Sequence, residues 1–152
     1  MGQAIEIVVR GICLRDGAVL VCRNKKHGHR FLPGGHVEWG ESSPQALARE
    51  WREELGMDCT VGEFLGVAEQ TYGLGGAKVA EISLVFRVES PALAAGAEPR
   101  GIEGHIDFEW VPLNRLDEVQ LLPKIIRDAL PGWLERPSPH AYLAHMAGET
   151  LP

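Results

Sequence analysis

Residues 42–57, SSPQALAREWREELGM, constrain this chain most, because they admit one local structure and give it two unlike faces. Ser42 and Ser43 can cap a helix N-terminus, Pro44 suits the first turn, where its missing N–H costs nothing, and Gly56 can supply the left-handed residue that ends a helix. A helix is therefore predicted over 44–55. With Glu50 set at 0°, Glu54 falls at roughly +40° and Glu53 at roughly −60°, whereas Pro44, Ala48, Trp51 and Leu55 gather at about 100° to 160°. An acidic stripe thus runs apart from an apolar one. Like charges at i,i+3 and i,i+4 cost a few tenths of a kcal/mol per pair even in water. Two readings account for the stripe. It is a solvated face relieved by Arg49 and Arg52, or it is a set of oxygen ligands for a hard cation such as Mg²⁺, which takes carboxylates and keeps part of its water shell.

The 152 residues suffice for one substantial core and are too few for two ordinary domains. The expected division is a folded domain over 1–136 and a tail over 137–152, rich in Pro and Gly, with a short helix near 141–147. No apolar run approaches the roughly 20 residues of a membrane span, and the start, MGQAIEIVVR, lacks the marks of a signal peptide, so a soluble cytoplasmic protein is expected with no membrane partner. Cys13, Cys22 and Cys59 lie far apart among apolar residues and form no C-x-x-C, which suits small buried hydrophobes in a reducing compartment. The formal charge of −6 argues against a duplex nucleic-acid binder. A phosphate-bearing ligand would need bound cations or local Arg and Lys groups.

Residues 4–14 and 18–23, separated by Arg15-Asp16-Gly17, read as a hairpin. A basic, Gly-containing loop follows over 24–30, and Phe31-Leu32-Pro33-Gly34-Gly35 excludes a helix and reads as a cradling loop. Strands are predicted over 60–72, 78–88 and 107–112, a loop over 89–104, and a second helix over about 123–130, ending before Pro131. Strands on both sides of a helix, without regular βαβ alternation, predict an α/β protein with a mixed sheet and helices packed on it.

The segment GHVEWGESSPQALAREWREELGM, residues 35–57, resembles the Nudix box, G-x5-E-x7-R-E-U-x-E-E-x-G-U, in which U is a bulky aliphatic residue. Gly35, Glu41, Arg49, Glu50, Glu53, Glu54 and Gly56 fill all seven fixed places, and Met57 fits the last U. Seven matches by chance, at about one in fifteen each, have odds on the order of one in 10⁸ per starting position. One departure is Trp51 at the first U, read as a larger core residue that its neighbours must accommodate. The box covers about a sixth of the chain, but the approach, Phe31 to Gly35, and the later Trp110-Val111-Pro112-Leu113 are similar to the family too.

This resemblance implies an α/β/α sandwich with a mixed central sheet. It also implies Mg²⁺-dependent hydrolysis, with Mn²⁺ as substitute, of a diphosphate linkage in a nucleoside triphosphate, oxidised nucleotide, ADP-ribose or nucleotide sugar. The reaction would be in-line attack of metal-activated water. The alternative is a non-catalytic nucleotide-binding or regulatory domain of the same fold, which loss of box acids would favour; none is lost. The implied partner is a small nucleotide-type molecule, and a homodimer is admitted.

By the same resemblance Glu50, Glu53, Glu54 and the Gly35 carbonyl are metal ligands, and Gly34 and Gly35 let the backbone come close to an ion or phosphate. Arg49 and Glu41 are the box's supporting pair. Arg23 stands where relatives often hold a phosphate, or is a solvated strand-end charge. The general base is Glu50 or Glu103, with His105, Asp107 and Glu109 as competitors, and Glu103 is equally readable as a loop acid. Phe31, Phe64, Tyr72 and Phe108 can stack on a base or belong to the core.

Overall fold

The computed structural model describes residues 4–74 and 77–136. The expected tail over 137–152, with its short helix, lies outside the described residues. The helix predicted at 44–55 is α1, Ser43–Leu55, and it begins and ends as its sequence dictates. The Ser42 hydroxyl accepts from the Gln45 N–H while the Gln45 side chain accepts from the Ser42 N–H, Pro44 lies in the first turn, and Gly56 closes the helix at φ +66°.

The first expectation to change is the long hairpin. The strand from residue 4 ends at Ile12 as β1, Ile5–Ile12, and a separate β2, Leu14–Arg15, makes the hairpin with β3, Ala18–Asn24. Asp16 and Gly17, both at positive φ, form the turn. Val8 and Val9 are both buried although successive strand residues face opposite ways, so β1 needs cover on both faces. It finds this inside another sheet, pairing in parallel with β7, Ala77–Glu89, from Ile5 opposite Ala80 to Ile12 opposite Arg87. The outer neighbours there are β6, Thr60–Leu74, antiparallel to β7, and β5, Gly34–His36, antiparallel to β1.

The second sheet is built around β3. Along one edge runs β8, Ile106–Pro112; the other edge carries β2 and then β4, Arg30–Phe31, which pairs in parallel with β9, Leu121–Leu122. The stretch read as a cradling loop therefore contains two short strands, because Gly34 lets its backbone approach β1 where a Cβ would stand 2.0 Å from the Val9 carbonyl oxygen. The loop expected at 89–104 contains one helical turn, α2, Pro91–Ala94, which buries Leu93.

Alternate residues of the strands feed two cores. Val19, Val21, Leu65, Ala68 and Val85 join Ile126 and Leu130 of α3, Lys124–Glu135, whereas Val9, Leu20, Phe86 and Val88 join Ala46, Leu47, Trp51 and Leu55 of α1. Helices thus cover opposite faces of mixed sheets, the expected α/β/α sandwich. The end expected before Pro131 is overturned, since α3 continues through it to Glu135. Losing one backbone hydrogen bond at Pro131 is outweighed by the packing of Trp133 and Leu134 on the core. The Trp133 indole occupies the place beside Gly66 where a Cβ would lie 2.3 Å from the ring. Trp51, the departure from the box, is wholly buried, and Gly11 of β1 makes room for it: a Cβ there would sit 3.4 Å from the Trp51 ring and 2.8 Å from a Val88 methyl.

Candidate active site

The acidic helix meets the glycine turn where the two sheets part. A Cβ on Gly35 would lie 2.4 Å from the Glu50 carboxyl carbon, so this position must be glycine for Glu50 to keep its place. Arg49 fixes that place. Its guanidinium donates to Glu41 at 2.7 and 3.1 Å, to Glu50 at 2.9 Å, to Glu53 at 3.2 Å and to the His36 carbonyl at 3.0 Å. The hydrogen bond from Arg49 lowers the Glu41 pKa, and Glu41 in turn raises that of the guanidinium. The structure thus brings Glu41 and Arg49 together in a two-pronged ion pair. Glu53 turns outward, half exposed, onto Arg49.

Glu54 differs from its expectation. The solvated-face reading does not hold for this residue, because only 6 % of it is exposed. The last turn of α1 is covered on the acidic side by the Gly34 turn, whose N–H donates to Glu54 at 3.4 Å, and by the segment in which the Ile102 N–H donates to the Glu54 carbonyl at 2.8 Å. Burial, and then the charge of Glu50, push the Glu54 pKa up to about 8; the Gly34 N–H and Arg10 pull it down, and Glu103 adds to the rise. Among the described residues no cation forms an ion pair with Glu54.

The predicted three-glutamate stripe is therefore split. Among the described residues no three carboxylate, imidazole or thiol groups converge on one point. Glu50 and Glu54 with the Gly34-Gly35 backbone form the centre, and Glu103 stands near enough for its charge to be felt by Glu54 and Cys22. Of the competitors for the base, Asp107 is paired with Arg23 at 3.0 Å and Lys25 at 3.2 Å, which lower its pKa, and Glu109 is paired with Arg30. Among the described residues the Glu103 carboxylate has one ion-pair partner, His105 at 3.4 Å. Arg23 is committed to Asp107 at the strand end. The loop before α1 holds Trp39, wholly exposed, between Glu38 and Glu41. Burial raises the thiol pKa values of Cys13, Cys22 and Cys59, and all three thiols are free.

One residue escaped the sequence reading. Arg10, in the middle of β1, donates to the carbonyls of Leu32 and Gly34 at 3.2 Å each and lies over the Phe31 ring, while its buried Nε has no hydrogen-bond partner among the described residues. Its charge acts on Glu54 and on Tyr72. The available signal was a lone cation beside two adjacent valines in a β-branched strand, IEIVVRGI.

The chain is similar to known proteins in sequence and in fold. The NUDIX domain model matches residues 5–131. The chain is 31 % identical over 126 residues to the ADP-ribose pyrophosphatase of Methanocaldococcus jannaschii, covering 80 % of this chain and 71 % of that protein. It is 31 % identical over 115 residues to the nucleoside triphosphatase NudI of Escherichia coli, covering 68 % and 79 %. A MutT protein from Methanosarcina mazei Go1 has a similar structure, with a TM-score of 0.66 at 25 % identity, over 89 % of this chain and 96 % of that one. With the complete box seated on a capped helix against its glycine turn, the chain belongs to the Nudix family of pyrophosphate-bond hydrolases.

Proposed function

We propose that this domain, residues 1–136, hydrolyses the diphosphate linkage of a nucleoside triphosphate or of a nucleoside diphosphate joined to another group, using Mg²⁺ held by Glu50, Glu54 and the Gly35 carbonyl. The supporting observation is Glu54: a buried carboxylate beside a second carboxylate, with one long hydrogen bond and no ion-pair partner among the described residues. Such a pair is costly without a cation. Mg²⁺ suits it because that ion is usually held through one or two carboxylates, with water and substrate phosphates completing its shell. A bound Mg²⁺ supplies charge neutralisation on the diphosphate and lowers the pKa of the attacking water.

The chain's own groups supply the rest. Arg49 orients Glu50, and Glu41 locks Arg49. Glu53 supports the cluster from the rim. Glu103, facing the centre from the loop before β8, accepts the proton of the attacking water. Arg10 and Arg23 are the cations placed to meet phosphate charge, the first from beneath the glycine turn and the second after exchanging Asp107 for substrate.

The test is phosphate release from canonical, oxidised and sugar-linked nucleotides, with Mg²⁺ and with EDTA. Turnover should require millimolar Mg²⁺ or less Mn²⁺ and be lost reversibly in chelator. Full turnover in EDTA overturns the proposal, and Mg²⁺-dependent nucleotide binding with no turnover would favour a non-catalytic domain.

A further inference from the structure

A second buried carboxylate has no part in this chemistry. Glu81 of β7 is 5 % exposed and meets no cation among the described residues. Three neutral donors hold it: Ser83 Oγ at 2.5 Å and Gln70 Nε2 at 3.1 Å on one oxygen, and the Tyr72 hydroxyl at 3.3 Å on the other. The second oxygen therefore has a lone pair to spare, and its one bond is long. Register puts these groups side by side, with Glu81 opposite Gln70 on β6 and opposite Glu6 on β1, while Ser83 stands opposite Val8. Glu6 in turn meets His36 Nε2 at 3.1 Å.

The cluster lies within reach of the diphosphate centre. On β1, Glu6 and Arg10 share a face and are four residues apart, roughly 13 Å. The charge of Arg10 acts at both ends, on Tyr72 and on Glu54. A nucleotide with its phosphates at the glycine turn and its base toward β6 and β7 spans that interval. Of the four aromatic residues able to stack on a base, Phe64 packs on Phe86, Phe108 joins the α1 core and Phe31 lies under Arg10. Tyr72, 36 % exposed, remains open.

We infer that Glu81 reads the base of the substrate, accepting an N–H from the base edge while the Tyr72 ring stacks on the base, so that this enzyme prefers amino-bearing nucleotides. The base N–H displaces the long Tyr72 hydroxyl bond, and Gln70 and Ser83 hold the carboxylate in position. A buried anionic acceptor rejects a base that offers a carbonyl there, because two acceptors would be left facing each other.

The inference rests on the hydrolase reading but is tested apart from it. Rates are compared within pairs in which a carbonyl replaces the amino group, ATP with ITP and CTP with UTP, for the natural chain and for Glu81→Gln. The natural chain should favour the amino-bearing member of at least one pair by about tenfold or more in kcat/KM, and Glu81→Gln should bring that ratio to within about twofold by turning the acceptor into a group that also donates. Equal rates within both pairs for the natural chain, or an unchanged ratio in the variant, overturns the inference. If no nucleotide is turned over, the hydrolase reading fails alone, and the same ratios measured as Kd by calorimetry with Mg²⁺ decide this one. Should Glu81→Gln not fold, Tyr72→Ala, at an exposed position, takes its place: KM for the preferred nucleotide should rise about tenfold with kcat held, and an unchanged KM counts against the inference.

Discussion

Two glutamates of this chain are almost equally hidden, yet their surroundings are opposite. Glu81 is wrapped by three neutral donors, whereas Glu54 has one long backbone contact and another carboxylate as neighbour. Burial takes the same hydration from both. Hydrogen bonds restore it for Glu81, but at Glu54 the deficit is left open at the point where a divalent ion would close it. The contrast separates an acid suited to reading a neutral ligand from one suited to holding a charged one. A buried polar group is informative through what satisfies it, more than through burial itself.

The sharpest way to break this comparison is Glu54→Gln. If the deficit is the cation's place, this change of nearly equal size should lower kcat/KM by about 10³-fold, near 4 kcal/mol, in steady-state kinetics at saturating Mg²⁺. It should also raise the melting temperature of the metal-free protein. Near-normal turnover would mean that Glu54 is only a buried structural acid.

Glu103→Gln tests whether the third acid completes that centre. The expected outcome is a loss of about 10²-fold in kcat with KM little changed, partly restored at high pH as hydroxide replaces the base. Parameters within about twofold of normal, under roughly 0.5 kcal/mol, would move the base to Glu50.

A third test needs no mutation. Glu54 holds its proton to about pH 8 in the folded protein, whereas in an unfolded chain it ionises near the ordinary 4.5. Below both values the two states are protonated alike. Between them the unfolded chain has fewer protons, so stability in EDTA should fall as pH rises from about 5 to 8, on the order of 2 kcal/mol once local relaxation is allowed for. Denaturant melts at several pH values check this, and Mg²⁺ should flatten the profile. A profile equally steep with and without Mg²⁺ would show that the ion does not bind at Glu54.

The smallest effect is expected from Arg23→Ala. Arg23 and Asp107 are both more than two-fifths exposed, so loss of their ion pair should leave stability in denaturant melts almost unchanged. KM should rise several-fold as substrate phosphate loses Arg23, and an unchanged KM would leave Arg23 a solvated strand-end charge.

The helix and its acids were legible because their signals are local. Ser42, Pro44 and Gly56 mark the ends of α1, and the period of Glu50, Glu53 and Glu54 marks a face. Whether that face meets water was not legible. It depends on the Gly34 turn and the Ile102 segment, which arrive from 20 residues before Glu54 and 48 after it. The partner of β1 was hidden for a similar reason: the turn at Asp16-Gly17 suggests a hairpin, but the strand pairs with β7, some 75 residues away, inside a sheet. Arg10 and Glu81 stood in plain view as charges among the apolar residues of β1 and β7, and only the register that sets Glu6 opposite Glu81 and Glu81 opposite Gln70 shows what surrounds them.

The tryptophans give the molecule a built-in optical contrast. Trp51 is sealed in the core and Trp39 stands wholly in water between Glu38 and Glu41. A soluble quencher such as iodide therefore reaches Trp39 while leaving Trp51 dark to it. The emission that iodide removes comes foremost from the loop that leads into the acidic helix, with a smaller share from the partly buried Trp110 and Trp133, and the emission that survives includes the interior. Binding at the glycine turn and unfolding of the sandwich can then be followed as two colours of the same spectrum, with no label attached.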